Sequence, residues 1–266
     1  MLLIEIVLKK RLPDFPAKTF STLANSFFQF KQFTVQQQDC AMKVSTDSCI
    51  FGALVAEKFQ VGAVEKKETL SHFLDIGTGT GLLSLMLAQK TTSLIDAVEI
   101  DTLAFTQAAE NFALSPFNKR ISVFNDDILV FKSDKKYDAI ICNPPFFEGD
   151  LKSADVLKNA AKHDTTLTLQ QLLKVVEGLL KPDGEFAILL PYHRLEECIK
   201  QALVLNIFLH EKILLQHTLK HPYFRGVLFF LKVDAPTVTK ELTIKDIDNK
   251  YTPDFIDLLK DYYLYL

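Results

Sequence analysis

Several residues in this chain have types and spacings suited to chemistry. The run Phe73, Leu74, Asp75, Ile76 is followed by Gly77, Gly79 and Gly81 at every second position, and a leucine-rich stretch from Leu82 to Gln89 comes directly after. The glycines therefore fall where a buried strand turns sharply into a helix. Without Cβ atoms they can take φ > 0 and let a ligand touch the backbone, while the helix start offers unpaired N–H groups. A dinucleotide turn spaces its glycines G-x-G-x-x-G, and the third permits close helix-to-strand packing; here that position is Leu82. Asp75, beside the turn, would repel a pyrophosphate and suits an ammonium group. Glu99 stands about 20 residues on, at the end of the next apolar run, placed to accept both ribose hydroxyl protons. Asp127, at the end of a third run, is placed to accept from an exocyclic adenine amine. These features describe S-adenosyl-L-methionine, a nucleoside with a cationic amino acid tail. A nicotinamide dinucleotide and a purely structural glycine turn are the alternatives.

The elements that must position these residues follow from the pattern. Leu94 to Ile100, Ile121 to Phe124 and Tyr137 to Cys142 are short apolar runs, each ending in polar or turn-forming residues, with a helical stretch to about Leu114 closed by Ser115 and Pro116. With the run before Gly77 they make four strands whose carboxyl ends share one edge of a parallel sheet, where ligands bind. A capping box at Thr168 to Gln171 opens a helix with apolar residues from Leu169 to Leu180 at helical spacing, ended by Lys181-Pro182-Asp183-Gly184. Glu185 to Leu190 is a fifth strand, Arg194 to about Leu205 a helix, and Lys212 to Leu219 and Val227 to Val233 an antiparallel hairpin. Upstream, Phe28, Phe30 and Phe33 suggest a short strand or hairpin, followed by a helix capped by Thr46 or Asp47. The tail reads as a short strand or turn and an amphipathic terminal helix. The expected fold is α/β: a seven-stranded, mostly parallel, Rossmann-like sheet with a final antiparallel hairpin and helices on both faces.

Composition narrows the function. The chain has 266 residues, a net charge of -3 and a pI near 6.1, so any nucleic-acid contact must use a local patch. The start has Glu5 within its apolar stretch and its basic residues after it, the reverse of a secretory signal. No apolar run approaches the ~20 residues of a spanning helix. Cys40, Cys49, Cys142 and Cys198 are scattered without zinc-ligand spacing, which predicts no metal and a reducing, cytoplasmic compartment. No membrane contact and no obligate protein partner is expected.

Asn143-Pro144-Pro145-Phe146, at the fourth strand end, resembles the N-P-P-Y/F motif of methyltransferases that modify a planar nitrogen, such as the exocyclic amine of adenine or the side-chain amide of glutamine. That nitrogen's lone pair is delocalised and a poor nucleophile. If the Asn143 side-chain oxygen and the Pro144 carbonyl each accept one N–H, the nitrogen can move toward tetrahedral geometry and present its lone pair to a sulfonium methyl. The prolines fix φ and bias Asn143 toward an extended conformation, holding both acceptors before substrate arrives. Phe146 can stack on a base turned out of its loop. A plain tight turn is the alternative without chemistry. The glycine turn likewise resembles the first motif of class I methyltransferases, in which the equivalents of Asp75, Gly77, Gly79 and Gly81 border the methionine part and that of Glu99 holds the ribose.

More of the chain resembles one family, the bacterial tRNA1(Val) adenine-N6 methyltransferases. The segments FKQF (30–33), CAMKVSTD (40–47), DIGTGTG (75–81), AVEID (97–101), NPPFF (143–147), KHDTTLTLQQLL (162–173) and KDYYLYL (260–266) carry it. The resemblance covers roughly Phe27 to Leu266 and implies methylation of the adenine immediately 3′ of the anticodon in a valine tRNA. It also implies a single methyltransferase domain over 27–266, with 27–66 covering substrate and cofactor, 67–235 as the Rossmann-like core and 236–266 as the tail. Residues 1–26 form a basic extension outside it. Phe146 replaces the tyrosine usual in the motif, keeping the ring and losing a hydroxyl. Lys31 and Lys43 are candidates for RNA phosphate contacts, and His163 with Asp164 for ordering a loop or touching substrate. Cys142 continues an apolar strand and reads as a core thiol. The rival readings are a glutamine-N5 methyltransferase acting on a release factor and a tRNA-binding module with a vestigial cofactor site.

Overall fold

The computed structural model describes residues 26–65, 71–144 and 167–266. The basic extension, Pro145, Phe146, the loop from Glu148 to Thr166 and its pair His163 and Asp164 lie outside them. The chain enters through a hairpin of β1 (Phe27–Gln29) and β2 (Thr34–Gln36), paired Phe28 to Val35. Helix α1 (Thr46–Glu65) follows. Its cap is Ser45 and not Thr46 or Asp47: the Ser45 carbonyl accepts the Cys49 N–H at 3.0 Å and its Oγ faces the Ser48 N–H at 3.4 Å. Asp47 instead pairs with Arg225, Oδ2 to Nε 3.0 Å.

From there strand and helix alternate: β3 (His72–Ile76), α2 (Leu82–Lys90), β4 (Leu94–Glu99), α3 (Thr102–Leu114), β5 (Ile121–Asn125) and β6 (Tyr137–Cys142). After the break come α4 (Leu169–Leu179), β7 (Leu180–Pro191), a 3-10 turn (Tyr192–Arg194), α5 (Leu195–Val204), β8 (Phe208–Gln216), β9 (Tyr223–Leu231), β10 (Val238–Thr243) and α6 (Pro253–Leu259). The sheet has eight strands rather than seven, in the order β10-β8-β9-β7-β6-β3-β4-β5. The extra strand is β10, which lies parallel against β8. The expected start of the fifth strand at Glu185 moves to Leu180, because the Lys181 to Gly184 turn signal becomes an irregularity within β7, between its pairings with Tyr137 and Ala139. The hairpin strands begin four residues earlier than expected, at Phe208 and Tyr223, so the connecting turn is the His217 to Pro222 stretch.

Side-chain alternation splits the core between the two faces. Phe73, Ile95, Ala97, Ala139 and Ile141 pack on one face with α1, α2, α3, α6 and the first hairpin. Leu74, Ile76, Val98, Ile140 and Cys142 pack on the other with α4 and α5. Helix α2 is buried from Leu82 to Ala88, enclosed between α1 and the sheet, so it is apolar around its circumference except at Ser84. Among the described residues, no helix is long and apolar enough to cross a membrane. Order reverses at the centre: β3, β4 and β5 run outward one way and β6 and β7 the other, all parallel. Ligand crevices open at such a reversal, outside the carboxyl ends of the strands.

Arg120 holds the far end of α2. Its guanidinium donates to the carbonyls of Ala88, Thr91 and Ser93 at 2.5, 2.7 and 3.3 Å. The Ala88 carbonyl is one of those a helix end leaves unpaired, and a cation there also suits the helix dipole. Arg120→Ala is expected to lower stability by about 2 kcal/mol, measured as a reduced urea midpoint with an unchanged slope.

Candidate active site

Asp75, Glu99 and Asn143 reach one side of the sheet by the same parity. Asp75 lies between Leu74 and Ile76, and Glu99 and Asn143 follow Val98 and Cys142, all members of the opposite core. Ile76 is level with both Val98 and Cys142, so Gly77, Glu99 and Asn143 leave three adjacent strands at one height. The tertiary structure thus brings together the glycine turn and the Asn-Pro turn, separated by more than sixty residues in the chain.

The Asp75 carboxylate is fully buried. Its Oδ2 accepts from Thr78 Oγ1 and Ser84 Oγ, each at 2.7 Å, and the carboxylate also accepts the Ser84 backbone N–H. Asp75 therefore serves as the missing cap of α2, whose own N-cap is Gly81 without a side-chain bond. One of the N–H groups expected to face a ligand is spent on this contact. Burial pushes the Asp75 carboxyl up to about 6 against the opposing effect of the two hydroxyls. Its Oδ1 is buried without a hydrogen-bond partner among the described residues, and so is Asn143 Oδ1.

Glu99 ties the turn to β4. Its Oε2 accepts the Gly79 N–H at 2.8 Å and its Oε1 the Asp101 N–H at 2.9 Å. Each oxygen keeps a second lone pair. Burial raises its pKa, opposed by those backbone bonds. The turn itself docks through Gly77 and Thr78, whose N–H groups both reach the Val98 carbonyl, at 2.9 and 3.2 Å. The three glycines differ. All have positive φ, at 69°, 56° and 82°, but a Cβ on Gly81 would meet the Phe112 ring at 2.4 Å, whereas one on Gly77 or Gly79 would meet nothing within 4 Å. Gly81 is required by packing; the other two border open space at the strand ends.

Asp127 stands just past β5, half-buried, with Oδ1 accepting the Leu129 N–H at 2.9 Å and closing a turn to Phe131. Ile100, directly after β4, is 52% exposed. Lys31 and Lys43 are exposed, and their ammonium groups donate to the backbone carbonyls of Lys260 and Gln37. Cys142 is buried and its thiol is pushed well above its usual range by burial, with Asp75 and Glu99 adding to the effect, as befits a core thiol. A cavity of about 470 Å³ lined by Asp96, Phe124, Asp126 and Tyr137 holds none of these residues.

Three partners escaped the sequence reading: Thr78, Ser84 and Asn111. Ser84 is the only polar residue among the first seven of α2, and that lapse in an apolar helix was its signal. Asn111 shares the buried face of α3 with Gln107 one turn earlier, again an amide where carbon is expected. Its Oδ1 accepts the Gln36 N–H, and its Nδ2 donates to the carbonyls of Gln36 and Thr80, all at 2.8 Å. One side chain thus joins the entering hairpin to the glycine turn.

A reversal-point sheet that presents a carboxylate-backed glycine turn, a glutamate at the next strand end and an Asn-Pro turn at one level defines a class I methyltransferase. The Methyltransferase small domain family matches residues 53–204, from within α1 to the end of α5. A solved structure of a predicted O-methyltransferase from Agrobacterium tumefaciens shares the fold, with a TM-score of 0.60 at 14% identity over 82% of this chain and 97% of that one. Two relatives, both called tRNA1(Val) (adenine(37)-N6)-methyltransferase, align over nearly their full lengths. That of Dyadobacter fermentans is 42% identical over 90% of this chain and 98% of its own, and that of Cytophaga hutchinsonii 39% identical over 92% and 100%. The chain belongs to the tRNA1(Val) (adenine(37)-N6)-methyltransferase family.

Two outcomes follow from the site's internal bonds. The Asp75 carboxyl keeps its proton up to about pH 6 when folded, against an ordinary value of 3.8. The folded state therefore binds the extra proton, and the stability this gives is complete below 3.8 and lost as pH rises through 6. Asp75→Asn is expected to be more stable than wild type at pH 7 by about 3 kcal/mol, with the gap closing near pH 4; equal urea midpoints at pH 7 would contradict this. Asn111→Leu leaves three backbone groups unpaired and should cost about 3 kcal/mol, with native-state hydrogen exchange showing early loss of protection at the Gln36 amide.

Proposed function

We propose that this protein transfers the methyl group of S-adenosyl-L-methionine to N6 of an adenine in tRNA, the adenine immediately 3′ of the anticodon of a valine tRNA. The carrying observation is the pair of buried oxygens without partners among the described residues at the sheet reversal: Asp75 Oδ1, on a carboxylate suited to an ammonium, and Asn143 Oδ1, on an amide suited to an N–H donor. Buried polar atoms are rarely left unmatched, and each such group in a native structure calls for a ligand or a strain role. The names of the relatives support tRNA as the acceptor, and a tRNA substrate puts the reaction in the cytoplasm.

In this reading Asp75 receives the amino group of the methionine part, and Gly77 and Gly79 leave the room that a Cβ would fill. The remaining lone pairs of Glu99 receive the ribose hydroxyls. Ile100 covers a face of the adenine ring with apolar surface that is otherwise exposed to water, and Asp127 receives the ring's amine. Gly81 acts through packing alone.

The cofactor supplies an electrophilic methyl on a sulfonium; the protein's task is to make a poor nucleophile attack it. Asn143 Oδ1 and the Pro144 carbonyl accept the two N–H bonds of the target amine, so its lone pair leaves conjugation and points along the line of transfer. Pro145 stiffens the turn. Phe146 stacks on the flipped base, a contact of about 1–3 kcal/mol. The proton leaves the amine after attack, so no dedicated base is required.

The test is incubation of the purified protein with methyl-labelled cofactor and tRNA from a strain lacking the enzyme, followed by separate counting of RNA and protein. Label is expected in RNA as N6-methyladenosine; label confined to protein would favour glutamine modification, and tRNA binding with no calorimetric response to the cofactor would favour a vestigial site. Asn143→Ala is expected to keep the affinity for S-adenosylhomocysteine while losing about 10²- to 10³-fold in transfer. Wild-type activity in that variant would overturn the mechanism.

A further inference from the structure

Donor and acceptor lie on opposite sides of the sheet reversal, and this decides where the rest of the RNA can run. In the reading above the cofactor covers the ends of β3, β4 and β5. The target amine sits at the end of β6, so the RNA must leave over the ends of β7, β9 and β8. There the sheet is not level. Cys142 pairs with Ile188 and Ile188 with Leu228, whereas β9 continues back to Tyr223 and β8 runs to Gln216. About four further residues at 3.3 Å each raise the β8–β9 turn about 13 Å above the level of Asn143.

We infer that this turn, His217 to Pro222, is a docking ridge for the sugar-phosphate backbone of the substrate RNA beside the flipped adenine. The inference rests on the proposed RNA substrate. From His217 to Arg225 the chain carries Lys220, Arg225, His217 and His221 and no acid, in a protein with 33 acidic and 30 basic residues. His217, Lys220 and His221 are exposed. Arg225 is engaged by Asp47, so Lys220 is the cation that the turn presents; Lys245, whose backbone N–H donates to the His217 carbonyl at 2.9 Å, turns its ammonium to Asn249 Oδ1 at 3.1 Å. The nearby Asp246 turns back to its own loop, accepting the N–H groups of Asp248 and Lys250 at 2.9 Å.

The ridge is built before any partner arrives. The Thr218 hydroxyl meets His221 Nδ1 at 2.8 Å and the Lys220 N–H at 3.3 Å. The His217 ring lies flat on Phe224, centroids 4.1 Å apart and 9° between planes. Cations and ring faces interleaved on a rigid turn are what a nucleic-acid strand uses. The ridge also lies outside residues 53–204, the part shared with the wider methyltransferase family, consistent with a device for the acceptor and not for the cofactor.

The test measures binding of the full-length chain to a labelled anticodon stem-loop and to a whole tRNA transcript between 50 and 200 mM salt. Lys220→Glu is expected to weaken binding about tenfold and to reduce the slope of log affinity against log salt by about 1, with Lys220→Gln intermediate. The affinity for S-adenosylhomocysteine and kcat at saturating RNA should be unchanged. Lys119→Glu, at the amino-terminal edge before β5, should alter nothing. Unchanged affinity and slope in both Lys220 variants, with wild type methylating RNA normally, overturns the ridge and leaves the reaction intact. Wild type that binds RNA through Lys220 but transfers no methyl supports the ridge and overturns the reaction. A wild type with no RNA affinity overturns both.

Discussion

A carboxylate with no exposure to water, at the end of the central strand, is the constraint on which the site depends. Burying Asp75 is costly, and the cost shows in the upward displacement of its pKa. Two hydroxyls and a helix N–H compensate one side of the group, while the other oxygen is unmatched among the described residues. The arrangement is poor for an unliganded fold and good for a cationic ligand. Such local strain is common where activity and stability compete. It also explains why α2 begins at a glycine without a capping side chain: the cap comes from the neighbouring strand.

The second constraint is topological. A parallel sheet whose order reverses leaves a gap between two strand ends, since the helices that follow them cover opposite faces. Here the gap falls between β3 and β6, and the helices after them, α2 and α4, belong to different cores. Strand parity then turns Asp75, Glu99 and Asn143 to the α2 side. No single contact assembles the site; register does, because one residue of slippage in β3 or β6 would send Asp75 or Asn143 into the wrong core.

Around this centre the additions to the sheet have separable tasks. The entering hairpin and α6 close the α1 and α2 face, joined by the Lys31 N–H to the Tyr262 carbonyl at 2.8 Å. Asn111 couples that hairpin to the glycine turn, so the segment carrying Lys43 and Cys40 is held in fixed relation to that turn. The antiparallel β8–β9 pair, by contrast, is free of the helix-after-strand rule and can overshoot the sheet edge. That overshoot raises a wall beyond the end of β7, which a parallel connection could not supply.

The sequence by itself determined the alternation of elements, the ligand class and the acceptor chemistry, because these rest on local signals: apolar runs of strand length, glycines at a turn, acids at strand ends, prolines after an asparagine. The bounds of β6 were legible to the residue, since polar neighbours flank Tyr137 and Cys142 on both sides. Legibility failed where two local signals competed or where a partner came from afar. Lys181 to Gly184 reads as a terminator, yet its turn is absorbed into β7 by pairing with β6. Three polar residues at 45–47 all suit a cap, and the Arg225 partner draws Asp47 out of that role. β10 was only a strand or turn until the edge of β8 offered it hydrogen bonds. That Asp75 caps α2, that Asn111 clamps the turn, that Gly81 differs in kind from Gly77 and Gly79, and that Asn143 stands level with Gly77 emerge from the folded chain alone. Each depends on which strands lie side by side, a long-range pairing that no window of local sequence contains.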